Sequence, residues 1–180
     1  MVRYSVTTLA IALSITTAAP AAASEKGWND AGSIARDALV VAAFGVPAVQ
    51  GDWDGVLQAG GSIAASAGVT YGLKEAFPER RPDGSDDKSF PSGHTSMSFA
   101  AAATLQNRYG WEIGVPAQIV AAFVGLSRVE AKKHHVHDVL VGAAIGEASG
   151  FLITRKAGDR VQVFPWGDTK GGGVAVTMRF

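Results

Sequence analysis

Five Ala/Gly-rich apolar stretches, each closed by a short polar or Pro/Gly joint, constrain the fold of this chain more than any other feature. Stretches of this length without strand-like alternation form helices, and small side chains let helix axes approach closely. Asp30 to Val49 is expected to be helical with a break or kink at Gly45-Val46-Pro47, since proline removes a backbone donor. Asp52-Trp53-Asp54 caps a second helix running to about Phe77 and stopped by Pro78. Residues 79–89 read as a polar loop with Pro-Asp-Gly turn chemistry. A third helix begins at Ser92 or Gly93 and reaches about Arg108. A fourth covers about Ile113 to Arg128, and a fifth about His137 to Arg155. On the fifth, Gly142, Gly146 and Gly150 recur at steps of four and share one face, which predicts a groove for a close helix neighbour.

The two ends differ from this body. Arg3, an apolar stretch from Tyr4 to Ala19 and the small residues Ala21-Ala22-Ala23 have the layout of a secretory signal peptide over residues 1–23. Residues 24–160 then make one helical domain by length. Beyond them, Val161 to Phe164 and Val174 to Phe180 alternate as strands do, around the turn-rich segments 165–168 and 171–173. Residues 161–180 are therefore expected to form a β-hairpin docked on the bundle. The expected fold class is all-α, a bundle of about five Ala/Gly-rich helices with a C-terminal β-hairpin.

Composition removes several function classes. Sixteen basic residues balance sixteen acidic ones, and setting Arg3 aside leaves fifteen against sixteen. With no basic tract, nucleic acid is not an expected partner. The chain has no cysteine, so it is stable without disulfides and offers no thiolate to a metal. Its apolar stretches run about 12 to 18 residues and are interrupted by Gln58, Gln118 or Glu147, short of the ~20 residues that span a bilayer. On that ground the chain is expected to be soluble, or peripheral with contact to a membrane surface, rather than integral. The signal layout over residues 1–23 implies export, to a bacterial periplasm.

Against this apolar background, charged and small residues concentrate between Lys74 and Asp138. They run Lys74-x6-Arg81-Pro82, then Pro91-Ser92-Gly93-His94, then Ser127-Arg128-x5-His134-x3-Asp138. Three permanent cations in such surroundings point to an anion gripped out of bulk water. Ser92 at a helix N-cap leaves backbone N–H groups at an anion-binding helix start, Gly93 lets the backbone come close, and His94 sits on the first turn. The planar Arg128 guanidinium suits two phosphate oxygens at once. His134 and Asp138 stand four apart and share a face if helical. Asp138 then accepts from one ring nitrogen and leaves the other free to attack.

Singly, each piece has a plainer reading: helix-end charges for Lys74 and Arg81, an ordinary cap for Ser92, an incidental histidine near a helix start. A zinc site drawn from His134, His135, His137 and Asp138 is the chemical rival. It is disfavoured because Lys132 and Lys133 add positive charge there, and because it leaves Lys74, Arg81 and Arg128 without a task.

Together the three motifs resemble those of the type 2 phosphatidic acid phosphatase family, whose superfamily also holds the bacterial class A acid phosphatases and the vanadium haloperoxidases. All eleven defining positions are present at the family's spacings, and the likeness runs from about Leu57 to Gly150. The resemblance implies a phosphatidic acid phosphatase/haloperoxidase-like helical core. It also implies hydrolysis of a phosphomonoester or diphosphate through a phosphohistidine, with no metal and no cofactor. It implies His134 as nucleophile, Asp138 as its orienting partner, and His94 as general acid and then base. Lys74, Arg81, Ser92, the Gly93 backbone and Arg128 would hold the phosphate. The implied partner is a phosphorylated lipid or a small phosphate ester. The alternatives are a vanadate-dependent haloperoxidase, whose relatives are much larger, and a non-catalytic phospholipid-binding bundle, which would not need both histidines.

Overall fold

A computed structural model describes residues 24–156, 161–168 and 171–178 of the protein; the signal peptide expected over 1–23 lies outside the described residues. Five helices form the body: α1 (Glu25–Val49), α2 (Trp53–Ala76), α3 (Gly93–Tyr109), α4 (Trp111–Glu130) and α5 (Val136–Ile153). The α1 helix starts before Asp30 because Ser24 caps it, its side chain accepting from the Gly27 N–H at 3.1 Å. The break expected at Gly45-Val46-Pro47 does not occur. Pro47 lies in the last turn, where one missing donor costs little, and its carbonyl accepts from the Gln50 N–H that closes the helix. A single residue, Gly110, ends α3 and begins α4. Its φ of +90° is a conformation that disfavours any side chain.

The centre of the bundle is α3, which touches all four other helices. Its Ala100–Ala103 run is fully buried. The glycine stripe on α5 packs against it: a Cβ on Gly146 would lie 2.3 Å from the Ser96 carbonyl oxygen, and one on Gly150 would lie 2.4 Å from the Ala103 Cβ. Hydroxyl pairs join α2 to α3, with Thr70 donating to Ser96 Oγ at 2.9 Å and Ser62 meeting Thr104 at 2.7 Å. At the end of the bundle where α1 joins α2, the buried Arg108 guanidinium grips the Asp52 carboxylate through Nε and Nη2. Tyr109 Oη also donates to Asp52, at 2.7 Å.

The expectation of a soluble or peripheral protein is overturned. Three helices, α1, α4 and α5, are long and apolar enough to cross a membrane, and their outer faces carry exposed side chains such as Val41, Ile119, Leu140 and Leu152. The polar residues that interrupt the apolar stretches do not face outward alone. Gln58 accepts from Arg108 and from the Arg155 N–H, and Gln118 donates to Glu147. Each break is thus satisfied between helices, which a bilayer tolerates. Beyond the bundle, the backbones of Val161–Asp168 (β1) and Gly171–Met178 (β2) run antiparallel; the all-α character rests on the five helices.

Candidate active site

The C-terminal ends of α2 and α4 and the starts of α1, α3 and α5 meet at one end of the bundle around a cavity of about 160 Å³. Of the eight residues singled out in the sequence, Lys74, Arg81, Gly93, His94, Arg128 and His134 line it. Ser92 and Asp138 stand behind that wall, both fully buried. Ser92 acts as the α3 cap: its Oγ accepts from the Thr95 N–H at 3.4 Å and from Thr95 Oγ1 at 2.9 Å. At Gly93 an added Cβ would meet only Thr70, at an ordinary 3.7 Å, so packing does not demand a glycine there. The position instead suits close approach of a ligand to a helix start.

The three cations are spent differently. All three donors of the Lys74 ammonium go to loop carbonyls, Pro91 at 2.6 Å, Lys88 at 2.7 Å and Ser89 at 3.2 Å. Lys74 therefore fixes the loop that presents Ser92 and His94 while adding charge to the cavity. Burial, then the neighbouring Arg81 charge, pushes its pKa down to about 8. Arg81 donates through Nε to Asp86 at 2.6 Å and through Nη1 to the Lys133 carbonyl at 3.0 Å, with Nη1 also 3.3 Å from His134 Nε2. Arg128 donates from Nη2 to Asn29 Oδ1 at 2.5 Å, and its buried Nε has no hydrogen-bond partner among the described residues. An unspent guanidinium donor beside a polar cavity is what an oxyanion requires.

Both histidines sit in a field of positive charge. Burial lowers the His94 pKa to about 3, with Arg128 and Arg36 adding to the effect. Burial, then Arg81 and Lys74, lowers that of His134 as well. Both imidazoles are neutral at pH 7. For His134 this is the form a nucleophile needs. Its Nε2 faces Arg81, while its Nδ1 lies 3.5 Å from Asp138 Oδ2, an approach rather than a formed hydrogen bond. Asp138 Oδ2 is held by Ser89 Oγ at 2.5 Å and the His135 N–H at 2.8 Å.

Several residues at the site escaped the sequence reading. Asn29 holds Arg128, and Ser33 Oγ and Arg36 Nη1 approach His94 Nε2 at 3.2 and 3.0 Å. Positions 29, 33 and 36 repeat at helical spacing within the polar first half of α1, and that signal was available. Lys133 also lines the cavity and pairs with Asp83. Ser89 had no such signature.

Known proteins resemble this chain in sequence and in fold. The sequence profile of the PAP2 superfamily matches residues 55–162, more than half of the chain. A lipid A 1-phosphatase of Porphyromonas gingivalis is 39% identical over 94 residues, covering 50% of this chain and 21% of that protein, so the chain spans about a fifth of this relative's length. The crystal structure of Aquifex aeolicus LpxE superposes with a TM-score of 0.61 at 22% identity, over 71% of this chain and 83% of that one. A transmembrane PAP2-type phosphatidylglycerolphosphate phosphatase from Bacillus subtilis gives a TM-score of 0.56 at 25% identity, over 72% and 74%. The likeness to a transmembrane protein and the three apolar helices together mark the chain as membrane-integral.

Proposed function

Because the chain belongs to the PAP2 superfamily, we propose that it is a membrane-integral phosphatase that hydrolyses a phosphomonoester carried by a membrane lipid, through a phosphohistidine on His134. The observation that carries this reading is the convergence of Lys74, Arg81, Arg128, His94 and His134 on one small cavity at the end of an apolar bundle. About 160 Å³ admits a phosphoryl group but not the body of a lipid. The rest of the substrate stays outside, where the exposed apolar helix faces offer a lipid environment.

In this reading the Arg81 guanidinium shifts its Nη1 donor from His134 Nε2 to a phosphate oxygen, which frees the nitrogen lone pair. His134 Nε2 then forms a bond to phosphorus as the P–O ester bond breaks. The leaving oxygen takes a proton from His94. A water then gives a proton to His94 and bonds through its oxygen to phosphorus as the P–N bond breaks, releasing inorganic phosphate and restoring His134. Arg128, with its unspent Nε, and Arg81 balance the charge on the equatorial oxygens, while Lys74 adds field and Asp138 steadies the imidazolium. Burial, with Arg128 and Arg36 adding to it, holds His94 neutral in the free site; the arriving dianion offsets the two cations, and the proton that His94 then takes up with the substrate makes it the general acid.

The test uses the full chain in detergent micelles. Phosphate release from lipid phosphomonoesters is compared with release from p-nitrophenyl phosphate, with and without EDTA. Rapid acid-free quenching with labelled substrate should trap a base-stable, acid-labile phosphoprotein that His134→Ala cannot form. A phosphoprotein persisting in that variant, or activity abolished by EDTA, would refute the mechanism.

A further inference from the structure

The two carboxylate oxygens of Asp138 have different surroundings. Oδ2 accepts from Ser89 Oγ and the His135 N–H and lies 3.5 Å from His134 Nδ1, but Oδ1 is buried with no hydrogen-bond partner among the described residues. It lies 3.2 Å from His137 Nε2. That nitrogen is also 2.9 Å from Glu79 Oε1, and His135 Nδ1 is 3.1 Å from the same oxygen. One ligand atom from each of Glu79, His135, His137 and Asp138 falls within 4.8 Å of all the others.

A tetrahedral zinc with bonds of about 2.0–2.1 Å holds neighbouring ligand atoms ~3.4 Å apart, close to these spacings. Two imidazoles and two carboxylates are borderline donors that suit zinc, whereas calcium and magnesium call for about six or more oxygens. Glu79–His ion pairs alone would leave the buried Asp138 Oδ1 unsatisfied, a cost that a cation removes. The lysines that argued against a metal in the sequence are engaged elsewhere, Lys132 with Glu25 at 2.7 Å and Lys133 with Asp83 at 2.5 Å. His134 is not in this group. Glu79, brought in by the loop after α2, takes its place.

We infer that Glu79, His135, His137 and Asp138 bind one zinc ion, clamping the loop after α2 to the start of α5. His137 is 56% exposed, so the ion enters from solvent. The ion takes no part in the reaction but shares Asp138 with His134. A dication on Oδ1 draws negative charge from the carboxylate that steadies the His134 imidazolium, so zinc slows turnover. That consequence rests on the proposed reaction; the binding does not.

EDTA-stripped full-length protein in detergent, titrated calorimetrically with zinc chloride in phosphate-free buffer, should take up one zinc per chain and melt at a higher temperature. Glu79→Gln and His137→Gln each remove one ligand from an accessible position, so a folding failure in one leaves the other. Each should weaken the Kd about tenfold or more. Absence of uptake, or uptake unchanged in both variants, overturns the site and leaves ion pairs only. A fall in kcat with zinc in the wild type but not in the variants supports the coupling through Asp138. Zinc bound with kcat unchanged overturns the coupling and not the site.

Discussion

Lys74 combines two tasks that a lone surface lysine would not. Its three donors organise the loop carrying Ser92 and His94, and its charge adds to that of Arg81 and Arg128. Its pKa, lowered to about 8 by burial and by Arg81, places its titration within an assayable range. The sign is simple: as pH rises through about 8 the ammonium loses its proton and the cavity one cation, so kcat/KM, which reports the free enzyme, should fall. Lys74→Arg keeps the charge far above that pH and should move the basic limb upward. A limb that stays near pH 8 in this variant would show that another group titrates there. His94 is expected to act on stability in the opposite pH range. Its folded pKa of about 3 lies below the unfolded value, so the unfolded chain binds the extra proton between those two values. Stability should therefore fall as pH drops below about 6.5, and thermal melts from pH 7 to pH 4 measure it; a His94→Gln variant should show a shallower loss.

At the scale of elements, the packing of α5 on α3 positions the chemistry. Asp138 opens α5, His94 opens α3, and the glycine stripe lets the two helices approach closely. Gly146→Ala would push a Cβ to 2.3 Å from the Ser96 carbonyl, a backbone atom that cannot yield cheaply. Such overpacking costs about 1–3 kcal/mol, and separation of the two helix starts should lower kcat/KM along with the melting temperature. Ala144→Leu, on the exposed side of α5, is the control expected to change neither much. That α5 carries a close helix neighbour was readable from the four-residue glycine step, though not that α3 is that neighbour; the helix order and the cap at Ser92 were readable from the polar joints. The sequence reading failed where a pairing crosses between distant segments. Glu79 meets His137 only because the loop after α2 folds onto α5, and no local pattern announces it. It also failed at membrane character: Gln58, Gln118 and Glu147 were counted as interruptions along the chain, while their partners on other helices are invisible in one dimension.

At the scale of the whole molecule the bundle has one open and one closed end. α4, at 20 residues, extends ~30 Å, the thickness of a hydrocarbon core. Trp53 and Trp111 are exposed at the starts of α2 and α4, at the closed end, where amphipathic rings favour an interface. The protein should accordingly stay in the membrane pellet after alkaline carbonate washing; release into the supernatant would contradict the integral assignment. The closed end is sealed by Arg108, paired with Asp52 and bonded to Gln58 at 3.2 Å and to the Arg155 carbonyl at 2.9 Å. Arg108 and His94 are fourteen residues apart on α3, ~21 Å along its axis. Removing Arg108 alone strands the Asp52 carboxylate and several acceptors, so Arg108→Met should destabilise the fold by about 3–5 kcal/mol. Adding Asp52→Asn should recover part of that loss, because the stranded charge is then gone. At that distance from the cavity, kcat per folded molecule should remain near wild type in both variants. Active-site titration alongside a melting curve separates the two effects, and a large fall in kcat with melting unchanged would mean that the closed end governs the chemistry instead of only holding the helices that carry it.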